Sequence, residues 1–72
     1  MTKEERRKAT AAAVAQMIRD ARAKRGWSLY RLAKESGLSV GHVVRIERGE
    51  VAVRVDVLHD IVEALGVRIV IE

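Results

Sequence analysis

The chain is predicted to be a mainly α domain of four to five helices ending in a β-strand. Three observations carry that expectation. The stretch 28–49, SLYRLAKESGLSVGHVVRIERG, reads as two short helices joined by a tight turn. Val57, Leu58, Ile61, Val62 and Leu65 recur at helical spacing, whereas residues 67–72 switch to a β-branched, nearly continuous apolar run. Seventy-two residues allow one small domain, 1–72. A chain of that size buries only about 60% of its unfolded surface, so a partner subunit would help to stabilise it.

The first helix is expected to begin almost at the first residue, because Thr2-Lys3-Glu4-Glu5 is a capping-box sequence. It runs to Arg25, and Gly26 ends it. Val14, Met17, Ile18 and Ala21 give its second half an apolar stripe. Residues 3–13 lack that periodicity, but alanines at 9 and 11–13 favour helix by propensity. Residues 1–13 are read as an N-terminal helical extension. A frayed end, or a segment ordered only by a partner or a ligand, is the alternative.

The two short helices of residues 28–49 share the same starting devices. Ser28 caps the first while Trp27 packs on Leu32; Ser39 caps the second while Leu38 packs on Val43. Leu29 to Ser36 places Leu32 and Ala33 on one side, and Gly37 takes the left-handed conformation that stops a helix. Val40 to Arg48 then buries Val43 and Ile46 on a single face. Ala33 is small enough for the two helices to cross closely. This is a helix-turn-helix.

A short irregular link, Glu50 to Arg54, leads to the last helix, about Val55 to Leu65, which Gly66 ends. Its apolar stripe closes the core. The tail Val67-Arg68-Ile69-Val70-Ile71-Glu72 reads as a strand, yet one strand is not stable alone and no second is evident. Val67, Ile69, Val70 and Ile71 are therefore expected to pair with the same strand of a second subunit across a two-fold axis. A disordered terminus is the alternative, at the cost of exposing those four side chains to water.

Charge is distributed unevenly. The net charge is +4, made of +5 over residues 1–25, +2 over 26–49 and −3 over 50–72. A basic front and an acidic back suit a protein that turns one side to a phosphate backbone, although a solvated N-terminal helix accounts for part of the excess. There is no cysteine, hence no disulfide framework and no thiolate metal site. No apolar run approaches the roughly 18 residues of a membrane span, and TKEERRK precedes no signal-peptide core, so neither is expected. The expected location is cytoplasmic, associated with the nucleoid if DNA is bound. His42 and His59 lack metal-ligand spacing, no phosphate loop or nucleophile motif is present, and Asp56, Asp60 and Glu63 read as a solvated helix face. No enzymatic activity, metal or cofactor is expected.

Counted from Leu29, the helix-turn-helix has Ala at the fifth position, Gly at the ninth, and apolar residues at the fourth, tenth, fifteenth and eighteenth. With the closing Ile46-Glu47-Arg48-Gly49, this pattern resembles the Xre, or phage repressor/Cro, type of DNA-binding domain, from about Ile18 to Gly66. The resemblance implies that the second helix of the pair lies in the major groove of double-stranded DNA. Val40, Gly41, His42, Val44 and Arg45 would then face the bases. Arg45 is suited to guanine O6 and N7, and His42 to a base or a phosphate. Val40 and Val44 are suited to thymine methyl groups. Gly41 is either an opening for close approach or simply tolerated.

Phosphate contacts would come from Arg22, Ser28, Tyr30, Arg31, Ser39, Arg48 and Arg54, with helix-start amides helping at both serines. Leu29 stands where relatives often carry a phosphate-binding glutamine, which weakens one expected contact. Relatives also pair the glutamate at Glu47 with a first-helix arginine, which falls on Arg22, so Arg22–Glu47 is expected to be a structural ion pair. Trp27 is read as a core staple rather than a base-stacking platform. Some antitoxins that resemble this chain also end in a strand paired across a dimer. The resemblance thus implies a homodimeric repressor, acting on an inverted-repeat operator and regulating its own gene. The alternative is an antitoxin whose main task is to bind and neutralise a partner protein. Small antitoxins and phage or plasmid regulators are not separated by these residues.

Overall fold

The computed structural model describes residues 1–68, which form four helices: α1 (Lys3–Arg25), α2 (Leu29–Ser36), α3 (Val40–Glu47) and α4 (Val55–Leu65). α1 starts as its sequence dictates. The Thr2 hydroxyl accepts from the Glu5 N–H at 3.1 Å, and the Glu5 carboxylate accepts from the Thr2 N–H at 3.4 Å. Its 23 residues bury only Ala15 and Ile18 fully, so most of the extension 1–13 is helical without an apolar face of its own. Capping and alanine content hold it, with Ala11 and Val14 providing lateral packing.

The ends of α2 and α3 are also local chemistry. Ser28 Oγ accepts from the Arg31 N–H at 3.0 Å, and Ser39 Oγ accepts from the His42 N–H at 3.1 Å. Each satisfies one amide that the helix itself leaves unpaired. Gly37 closes α2 at φ +73°, which lets the Leu38 N–H reach back to the Ala33 carbonyl at 2.9 Å. α3 ends one residue earlier than the sequence reading, with Arg48 as its cap and Gly49 beyond it at φ +70°. A Cβ on Gly49 would meet the Ala12 Cα at 3.5 Å, an ordinary contact. The left-handed backbone, rather than lack of space, is therefore what favours glycine there.

Leu32, Val43, Ile46, Ile61 and Leu65 are essentially inaccessible and, with Ile18 and Ala33, make one core shared by all four helices. α2 packs on α3 and α4, and α1 crosses both α3 and α4. Trp27 and Leu38 lie against this core, as the two staple positions require. Ser36, unremarkable in the sequence, is buried and returns its hydroxyl to the Leu32 carbonyl. α4 begins at Val55 with no side-chain cap from Arg54; Asp56, in its first turn, accepts from the Val57 N–H at 2.9 Å.

Among the described residues there is no strand. Val67 is exposed and irregular, and the expected dimerisation positions Ile69, Val70 and Ile71 lie outside the described residues. No helix there is long and apolar enough to cross a membrane.

Candidate nucleic-acid interface

α3 is held in place from below and leaves its outer face open. Val43, Ile46 and Glu47 are buried, while Val40, Gly41 and Arg45 are exposed and His42 and Val44 are half-buried. The outer face is thus two short rows one turn long: Val40–Val44 and Gly41–Arg45, each with i, i+4 spacing. Ser39 at its start and Ser28 at the start of α2 are both exposed cap residues. Each presents a helix N-terminus, where free amides and the helix dipole favour an anion.

Arg22 and Glu47 fix how α3 sits on α1. The guanidinium grips the carboxylate with both arms, Nε to Oε2 at 2.7 Å and Nη2 to Oε1 at 2.9 Å. Nη1 donates to the Trp27 carbonyl at 2.9 Å. All three nitrogens of Arg22 therefore donate inside the protein, and the carboxylate they hold is only 6% exposed. Hydrogen bonding to Glu47, with its charge attraction, outweighs burial and raises the Arg22 pKa above its already high ordinary value. A base whose folded-state pKa is raised contributes stability below its unfolded value and loses it only as pH rises through the raised one. The pair is consequently intact throughout the neutral range.

Arg19, which sequence reasoning passed over, adds a second tie from α1. It donates to the Glu47 backbone carbonyl at the end of α3 and to Gln16 Oε1 at 2.6 Å. Its only sequence signal is its place three residues before Arg22, on the same helix face. Arg19 also joins Leu29, Val44, Glu47 and Arg48 around a shallow hollow beside α3. This brings Leu29 of α2 next to the outer face, a placement that the helix pattern did not reveal.

The remaining basic candidates have local partners. Arg31 pairs with Glu35 at 3.1 Å, Arg48 with Glu50 at 3.7 Å and Arg54 with Asp56 at 3.0 Å. All three pairs are exposed, and such pairs are worth little, about 0–1 kcal/mol, so they hold these side chains only weakly. Arg25 and Arg31 lie over the Trp27 ring at 4.6 and 4.8 Å, which occupies the indole with cations of the same chain. Tyr30, in the first turn of α2, is 71% exposed. Arg45 differs from Arg31, Arg48 and Arg54: among the described residues no carboxylate lies within 4.0 Å of it. No group of three or more His, Cys, Asp or Glu side chains that could hold a metal occurs among those residues.

A capped pair of short helices, closed by a left-handed glycine and braced by a buried Arg–Glu fork, defines a helix-turn-helix domain. A family model described as Helix-turn-helix matches residues 18–71, three-quarters of the chain. The chain belongs to this Xre/Cro-like helix-turn-helix family, whose members are DNA-binding regulators. No curated protein and no solved structure matches the chain significantly.

Proposed function

We propose that the protein is a sequence-specific repressor that binds double-stranded DNA as a homodimer on an inverted repeat and represses its own gene. The observation that carries this reading is Arg45: exposed on α3, the helix that Ser39 caps, and without a carboxylate partner among the described residues. A free guanidinium on an outward helix face is what bidentate recognition of guanine requires. Ser28, Tyr30, Ser39, Arg31, Arg48 and Arg54 would serve as the phosphate contacts that fix register. Arg22 acts through Glu47, holding α3 at its angle, rather than as a primary phosphate ligand. Two copies paired through residues 67–72 would set their α3 helices about 34 Å apart, one helical turn of DNA. Occupation of that site excludes polymerase.

The test compares two arginines. Arg45→Ala is expected to cost about 1–3 kcal/mol on the cognate site and to relax one base position, whereas Arg48→Ala weakens all sequences alike. Titration of cognate and random duplexes at fixed salt reads both. Equal loss on the two duplexes for Arg45→Ala removes the readout role.

A second reading, a module that binds and neutralises a partner protein, draws support from one feature. A groove between the α1 extension and the α3–α4 link has basic Lys3, Arg6 and Arg7 at its edge and Val14, Val53 and Leu58 in its floor. An apolar floor is of no use to a phosphate backbone. A tight complex with a protein that leaves operator binding unaffected would favour this reading.

A further inference from the structure

We infer that the α3 face reads a C5-methylated pyrimidine beside the guanine taken by Arg45, as in thymine–guanine or 5-methylcytosine–guanine steps. The inference rests on the DNA-binding reading and names what that surface selects. Its basis is the pairing of the two rows on α3. Helical side chains lean toward the N-terminus, so Arg45 covers the turn that begins at Gly41. A Cβ at Gly41 would meet nothing within 4 Å, and Gly41 has no positive φ. Neither packing nor backbone geometry calls for glycine there. The missing side chain clears the space through which Arg45 reaches a base edge.

The adjoining row is apolar along its whole length. Val40 is 38% exposed, Val44 follows one turn later, and Leu29 extends the strip from α2 across the shared hollow. Neither valine nor leucine can accept from or donate to a base edge. In the major groove the one apolar group that distinguishes bases is the methyl on pyrimidine C5. A guanine-reading arginine with an apolar strip alongside therefore matches a methylated pyrimidine stacked next to that guanine.

The experiment uses the intact protein and a duplex carrying its selected site, with the guanine located as the position relaxed by Arg45→Ala. The neighbouring pyrimidine is varied in two pairs, thymine against uracil and 5-methylcytosine against cytosine, each pair differing by a single methyl group. The methylated member is expected to bind about fourfold more tightly, the gain from burying one methyl-sized group. A preference in the first pair alone assigns the site to thymine, and one in the second alone to methylated cytosine. Val44→Ala, or Val40→Ala should the former not fold, is expected to reduce the discrimination below about twofold. Equal binding within both pairs overturns the inference, as does undiminished discrimination in folded valine variants, while sequence-specific binding itself stands. A protein that prefers no sequence over random duplex overturns the DNA reading and this inference together.

Discussion

Arg22→Ala is expected to lower the unfolding free energy by about 3–5 kcal/mol, because it strands the Glu47 carboxylate in the protein. That side chain is only 6% exposed, and Arg22 supplies both of its hydrogen bonds at 2.7 and 2.9 Å. The same change frees the Trp27 carbonyl and so loosens the turn into α2. A domain of this length has roughly 4–11 kcal/mol of stability in total, which makes the loss a large fraction of it. Urea denaturation should show a lower midpoint with an unchanged slope. Replacing both partners, Arg22→Met with Glu47→Leu, should recover most of the loss, because the cost arises from the unpaired charge rather than from the missing pair. A loss below about 1 kcal/mol for Arg22→Ala would mean that water reaches Glu47, and the brace under α3 would not exist.

Ile46→Ala should cost about 2–5 kcal/mol, through lost burial and the cavity left behind. Ile46 is 1% exposed and is the larger of the two apolar α3 side chains in the core shared with Leu32, Val43, Ile61 and Leu65. Ile46→Val removes one methylene and should cost about 0.5–1.5 kcal/mol. For a domain of this size, thermal unfolding followed by circular dichroism should fall by about 4–8 °C for each kcal/mol lost. Since Ile46 lies beneath the face that carries Arg45, its loss should reduce DNA affinity only as far as it depopulates the folded state. A reduction at temperatures where the variant is fully folded would instead show that core packing sets the aim of α3.

The devices that build the helix-turn-helix were legible because they are local. Ser28 and Ser39 cap the helices they precede, Thr2 and Glu5 close a capping box, and Gly26, Gly37 and Gly66 end helices in the left-handed conformation. Each acts within about five residues, so spacing alone reveals it. The buried stripe of Val43 and Ile46, and that of Ile61 and Leu65, follow from the helical period. Arg19 was not legible, because its acceptor is a backbone carbonyl 28 residues away and carbonyls leave no mark in a sequence. Leu29 was read as a lost polar contact; only the crossing of α2 over α3 shows that it continues an apolar strip with Val44. The local neutralisation of Arg48 by Glu50 and of Arg54 by Asp56 likewise depended on side-chain placement, although the residues are close in sequence. That placement is what distinguishes Arg48 and Arg54 from Arg45.

Selection of bound sequences from a random duplex pool at about 0.15 M salt, near the physiological ionic strength, tests the central claim most directly. A folded, dimeric reader with Arg45 over the bases predicts an enriched palindrome, its half-sites about 34–36 Å apart and each containing a guanine. Enrichment of no motif, with binding that disappears as salt rises, would contradict it, leaving only sequence-independent attraction between the basic chain and phosphate.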